Sequence, residues 1–125
     1  MTLTNQEMDT YAHALRDIFE KVQGKLGYVV SKNYRKLVDE LQEYTELKNE
    51  TITKYGAQNA EGTYEIAINS EAFKDYIKEM NQYNNITCEV NLVTIKPEDV
   101  YDSSLNAQEI MGISFMIEDE DEETK

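Results

Sequence analysis

The sequence predicts an α+β fold, and three observations carry that expectation. Apolar residues recur at helical spacing through the first 55 positions, two later stretches read as strands, and polar or glycine-containing breaks separate them. The expected architecture is an N-terminal antiparallel helical hairpin over residues 1–55. A small two- or three-stranded sheet with one crossing helix follows over residues 63–117. At 125 residues the chain suits one globular domain, residues 1–117, with an acidic disordered tail at 118–125.

Thr4-Asn5-Gln6-Glu7 has the form of a capping box, so a helix should start there. Met8, Tyr11, Ala12, Leu15, Ile18, Phe19 and Val22 then mark one apolar face at three-four spacing. Gly24 and Gly27 are expected to end that helix, because glycine tolerates the positive φ of a C-terminal cap. A longer helix should begin between Tyr28 and Lys32. Its heptad seam is Val30, Tyr34, Leu37, Leu41 and Tyr44, continuing less regularly to Tyr55. The opposite face pairs Arg35 with Asp39 and Lys36 with Glu40 at i,i+4 and is expected to be solvated.

Gly56 to Gly62 breaks the helical period. Thr63 to Ile68 alternates, with Tyr64, Ile66 and Ile68 on one face, as a half-buried strand does. Asn69 or Ser70 should cap a helix whose stripe is Phe73, Tyr76, Ile77, Met80 and Tyr83, ending at Asn84-Asn85. Ile86 to Ile95 reads as a second, more apolar strand. Pro97 can open a short helix reaching Tyr101, since its missing donor costs nothing at a first helical position. Asn106-Ala107-Gln108-Glu109 resembles another cap, and Ile113 to Ile117 adds a last apolar segment.

Charge separates the classes of function. The net charge is −13, and residues 1–54 hold eight Lys and Arg against nine Asp and Glu, while residues 55–125 hold four against sixteen. Such a field disfavours direct binding of nucleic acid or anionic membrane, which needs cations to displace counterions. It favours a basic protein surface, including one built to hold nucleic acid. No stretch has the length of a membrane span, and Met1 to Gln6 lacks the pattern of a secretory leader. With its single Cys88, the chain is expected to work in a reducing cytoplasm.

Candidate chemistry is sparse. His13, between Asp9 and Asp17, has too few converging ligands for a metal site and reads as a surface histidine. Cys88 has neither a second cysteine nor a nearby base and reads as a small buried apolar residue. Gly24-Lys25-Leu26-Gly27 lacks the surroundings of a phosphate-cradling loop, and the tail lacks the spaced oxygens and turn glycine of a calcium loop. No catalytic, metal or cofactor residue is therefore assigned, and the chain is expected not to be an enzyme. Of nine tyrosines, Tyr28, Tyr55 and Tyr101 fall outside obvious core positions. Acids interleaved with an aromatic can meet Arg and Lys on a partner, which marks Glu98, Asp99, Tyr101 and Asp102, with Glu118 and Asp119 at the root of the tail, as partner-binding residues.

Leu3-Thr4-Asn5, Tyr11-Ala12, Gly24-Lys25-Leu26, Ser31-Lys32-Asn33, Lys54-Tyr55-Gly56 with Glu61-Gly62, and Phe115-Met116-Ile117-Glu118-Asp119 together resemble small uncharacterised proteins of phages and prophages in Gram-positive bacteria. The resemblance covers most of the chain and implies a viral origin and a host-cytoplasmic setting, with no site residue transferred. Met1-Thr2-Leu3-Thr4 and Tyr11-Ala12 also look like the start of one type of anti-CRISPR protein, a likeness that ends with the first helix.

The functional expectation is a non-enzymatic, phage-derived binding protein whose acidic surface docks on a basic protein. The partner could be a host nuclease complex inhibited by nucleic-acid mimicry. The alternative is a phage structural or assembly protein that uses the heptad seam and spare tyrosines to form a homo-oligomer or virion contact.

Overall fold

Thr4 starts the first helix as its sequence requires. Its hydroxyl accepts from the Glu7 N–H at 3.0 Å, and the Glu7 carboxylate accepts from the Thr4 N–H at 2.9 Å, satisfying two donors that the helix leaves without partners. In the computed structural model, which describes residues 1–118, this helix is α1, Asn5–Asp17. Met8, Leu15 and the following Ile18 are fully buried, each contributing roughly 1.5–3 kcal/mol by leaving water.

The turn to the second helix differs from its expected form. α1 stops before Ile18, a 3-10 turn covers Phe19–Lys21, and α2 already begins at Gly24, spanning Gly24–Glu40. Gly24 does take a positive φ of 63°, but at the entrance of α2 rather than at the exit of α1. Gly27 lies in the first turn of α2, donating to the Gln23 carbonyl at 3.2 Å.

α1 and α2 form the expected hairpin, closed at its end by an edge-on contact of Phe19 with Tyr34, ring centroids 4.8 Å apart. The long second helix is interrupted. Leu41, at φ −85° and ψ −1°, ends α2 and leads into α3, Gln42–Tyr55. The hydrogen-bond ladder survives this bend, since the Leu41 N–H still reaches the Leu37 carbonyl at 2.9 Å and the Leu41 carbonyl accepts from Thr45 at 2.7 Å. The seam residues Val30, Leu37, Leu41 and Tyr44 are all buried within the chain's own core. Past the bend α3 packs on α4, Glu71–Asn84, rather than on α1. The Tyr44 hydroxyl fastens the two by donating to Asn84 Oδ1 at 2.6 Å. Ser70 provides the cap of α4, accepting from the Phe73 N–H at 3.1 Å.

The fold class is α+β, but the strands pair differently from the expectation. The stretches at 63–68 and 86–95 do not meet each other, and each shrinks to a short piece paired with a strand that periodicity had not revealed. β1, Thr2–Thr4, runs antiparallel to β4, Thr87–Glu89, with Leu3 opposite Cys88. β2, Ala57–Gln58, runs antiparallel to β3, Tyr64–Glu65. No helix crosses a shared sheet. Tyr64, Ile68 and Ile86, expected to face a core, are exposed: a hairpin of two-residue strands offers nothing to cover Tyr64 and Ile68, and Ile86 lies just outside β4. That hairpin lies hard against the end of α3. A Cβ on Gly56 would stand 2.6 Å from the Ile52 carbonyl oxygen and 2.8 Å from that of Glu65, so only glycine lets the two backbones approach.

The C-terminal elements follow the sequence closely. Pro97 opens α5, Pro97–Tyr101. Asn106 and Glu109 exchange both bonds of a capping box at the start of α6, Ala107–Gly112. A 3-10 turn, Ser114–Met116, brings Phe115 flat against Tyr11 of α1, centroids 4.0 Å apart and planes 9° apart. Ile117 then forms a parallel bridge with Ile95. The buried residues make one cluster running from Leu3 to Met116.

Between Val90, whose N–H donates to the Met1 carbonyl at 2.9 Å, and Ile95 in its bridge, the chain has no strand partner, and a side chain supplies what a ladder would. Asn33 of α2 is 0% exposed. Its amide nitrogen donates to the Val93 carbonyl at 2.8 Å, its amide oxygen accepts from the Val93 N–H at 2.8 Å, and the nitrogen also reaches Met116 Sδ at 3.4 Å. The carboxamide thus acts as a neighbouring peptide for a segment that has none. Asn33→Ala should lower the unfolding free energy by about 2–4 kcal/mol, because two backbone groups lose their partners as well as one side chain being lost. Urea denaturation measures it, and a loss below ~0.5 kcal/mol would show that water replaces the amide.

Candidate docking surface

α5 holds three of the residues that the sequence marks for partner binding, Glu98, Asp99 and Tyr101, and Asp102 is its C-cap. Glu98, Tyr101 and Asp102 are exposed, Tyr101 at 64%, while Asp99 is half-buried. Val100 and Pro97, on the inner side, are buried and anchor the helix to the core. A shallow cleft separates α5 from the start of α2, with Glu98, Asp99 and Asp102 on one wall and Lys21 and Lys25 on the other. Lys25 Nζ stands 3.3 Å from Asp99, and the Ser104 hydroxyl donates to the Lys21 carbonyl at 3.1 Å. The cluster is therefore a mixed-charge cleft with an acidic outer edge, not a bare acidic patch.

Glu118 reaches the same neighbourhood from the other end of the chain. Ile95 donates to the Met116 carbonyl at 2.9 Å, and the Glu118 N–H donates to the Ile95 carbonyl at 2.8 Å, two residues before Pro97 opens α5. The Thr94 hydroxyl donates to the Glu118 carboxylate at 3.4 Å. The fold thus sets Glu118 against Thr94 and Ile95, just before α5, a meeting that no local pattern foretells. Asp119 lies outside the described residues.

The lopsided charge is partly folded back on itself. Cations of the first half meet acids of the second in Lys21 with Glu109 at 2.8 Å, Lys54 with Glu79 at 2.9 Å, and the N-terminal ammonium with Glu89 at 2.7 Å. Each of these carboxyls is held below the usual carboxylate range. For Glu109 the first cause is the Asn106 N–H that it accepts, then Lys21; for Glu79 it is the hydrogen bond from Lys54, and for Glu89 the one from the ammonium. The expected i,i+4 partner of Glu40 is engaged elsewhere, since Lys36 donates to the Asn91 carbonyl at 2.6 Å. Glu98, Asp102 and Glu118 have no cation within ion-pair distance among the described residues.

Cys88 is half-buried rather than fully buried, and its thiol donates to Glu40 Oε2 at 3.1 Å. That hydrogen bond, then partial burial and the carboxylate's charge, pushes the thiol up from its ordinary range, the opposite of what a nucleophile needs. His13 is exposed with its Nδ1 2.8 Å from the Asp9 carbonyl. Among the described residues no group of three or more His, Cys, Asp or Glu is placed to hold a metal, and no helix is long and apolar enough to cross a membrane.

A second surface escaped the sequence reading. From residue 42 to 84 only Tyr44, Thr51 and Met80 are buried, so α3, the hairpin and α4 form an arm with little core of its own. On it Ile52, Tyr64, Ile66, Phe73 and Tyr76 line an open hollow, while Ile68 is 75% and Ile77 41% exposed. The signal was present: the polar run Ala57 to Gly62 holds no large apolar residue with which to cover the Tyr64 face.

Two outcomes follow from these electrostatics. Glu109 has a depressed folded pKa, so its contribution to stability is complete above the unfolded value of ~4.3 and is lost as pH falls through the folded one. The stability gap between wild type and Glu109→Ala should therefore be constant near neutrality and close below about pH 4, as acid titration of the urea midpoint would show. A gap independent of pH would remove the charge from the explanation. For Cys88, alkylation by iodoacetamide should be slow at pH 8, and Glu40→Gln should move its pH–rate profile to lower pH; an unmoved profile would exclude the carboxylate as the cause.

No family model matches the chain, no curated protein matches it, and no solved structure matches it.

Proposed function

We propose that this chain is a non-enzymatic binding protein that docks on a basic protein through the acidic edge formed by α5 and Glu118. The observation that carries the reading is the Ile95–Ile117 bridge, which sets Glu118 against Ile95, three residues before the exposed Glu98. Two segments separated in sequence then present one sign of charge to one partner. Carboxylates on such an edge can stand where phosphates sit on a nucleic-acid-handling enzyme and block access. A phage origin, a host-cytoplasmic setting and a defence enzyme as partner rest on the sequence resemblance alone.

The assembly alternative loses one support, because the seam proposed to join copies is buried within the chain: Val30 and Leu37 are both 0% exposed.

The test is affinity capture from the cells that produce the chain, comparing wild type with the triple variant Glu98→Gln, Asp102→Asn, Glu118→Gln. Wild type should retain a basic protein that the variant loses, and added double-stranded DNA or RNA should release it. Equal retention by both forms would overturn the docking edge, and release by neither nucleic acid would overturn mimicry.

A further inference from the structure

Between α1 and the bend at Leu41 lies a hollow of about 260 Å³. Its floor is apolar: Ala12 and Leu41, both buried, the half-buried Tyr34, and Val38, which is 42% exposed. Ala12 is too small to fill the space, and α3 does not fill it because past Leu41 it packs on α4. The wall on α1 is Asp9, His13 and Arg16, spaced i, i+4 and i+7 along one face.

The two ends of that wall differ. Asp9 stands 3.5 Å from Lys48 Nζ and 3.6 Å from His13 Nδ1, so its charge is met within the chain. Arg16 lies two turns further on, about 10 Å along the helix, and its guanidinium has no ion pair or hydrogen bond among the described residues. Lys21, Lys25, Lys36 and Lys54, by contrast, are each engaged by a carboxylate or carbonyl. His13 does not compete with Arg16 for an anion. Its Nδ1 faces the Asp9 carbonyl at 2.8 Å and so carries the ring proton, which leaves Nε2 of the neutral ring as an acceptor. An occupant that satisfies the site is therefore apolar over its body and anionic at the Arg16 end. A planar carboxylate matches the guanidinium fork with two parallel hydrogen bonds. Ordinary ligand sites run from roughly 300 to 1,000 Å³, so this one takes a body of about a single ring or branched chain.

We propose that this hollow is a binding site for a small organic carboxylate, its apolar body lying on Ala12, Val38 and Leu41 beside the Tyr34 ring and its carboxylate held by Arg16. None of these residues belongs to α5 or to the Ile95–Ile117 bridge, so the site stands or falls apart from the docking edge.

The test titrates the full-length isotope-labelled chain with 3-phenylpropionate, using 3-phenylpropanamide, which has the same shape without the charge, and acetate, which has the charge without the body, as comparators. 3-Phenylpropionate should shift amide resonances within residues 9–16 and 34–45, with a Kd of roughly millimolar order for a ligand of this size. The amide should bind about tenfold more weakly, and acetate should leave the same resonances in place. Arg16→Gln should cost about the same tenfold, and Val38→Asp should abolish binding by setting a carboxylate against the ligand's own. Should Val38→Asp disturb the fold, Arg16→Gln, at an exposed side chain, keeps the comparison. Equal binding of acid and amide, unchanged affinity in Arg16→Gln, shifts confined to other residues, or no shift up to about 10 mM would each overturn the proposal.

Discussion

The two hydrogen bonds between the Asn33 carboxamide and the Val93 backbone are the constraint on which the C-terminal third depends. Val90 pairs with Met1 and Ile95 with Met116 and Glu118, but from Asn91 to Thr94 the chain belongs to no strand, so the Val93 peptide groups need a partner from elsewhere. One fully buried amide on α2 provides it and holds this segment against that helix. Everything downstream inherits that placement. Ile95 sits where it can bridge Ile117, Pro97 starts α5 against the start of α2, and Met116 closes over the same asparagine. The acidic edge is thus held by a polar contact in the core rather than by its own helix, which at five residues could not persist alone.

Electrostatics are arranged in two tiers. Cations of the first half neutralise selected acids of the second, at Glu79, Glu89, Asp99 and Glu109, and these contacts tie β1, the 3-10 turn and the α2 start to distant elements. Exposed pairs of this kind add little stability individually. Among the acids they leave without an ion pair in the described residues are Glu98, Asp102 and Glu118.

Local signals were legible wherever a side chain acts on its own backbone. The capping residues Thr4, Ser70 and Asn106, and Pro97 at its first helical position, each placed a helix start correctly, since those preferences need no tertiary context. Gly24 shows the boundary of such reasoning: its positive φ was foreseeable, but whether it ends one helix or begins the next depends on the 3-10 turn before it. The break at Leu41 was illegible because the seam continues across it and only the competing contact with α4 reveals the change of direction. Strand length failed for a similar reason. Tyr64, Ile66 and Ile68 alternate as a strand should, but the available partner is two residues long, and β1 hides inside a segment that reads as a helix cap. Of the candidate site, the acids around α5 were visible as a cluster, whereas the placing of Glu118 against Ile95 required a contact between residues 95 and 117.

The most direct test of the docking account is the association rate with the basic partner, measured across ionic strength. If the outer carboxylates steer the encounter, the rate should fall steeply as salt shortens the reach of their field, from ~10 Å at 0.1 M to ~3 Å at 1 M, while dissociation changes far less. A rate that stays flat over that range would mean that the acidic surface takes no part in recognition.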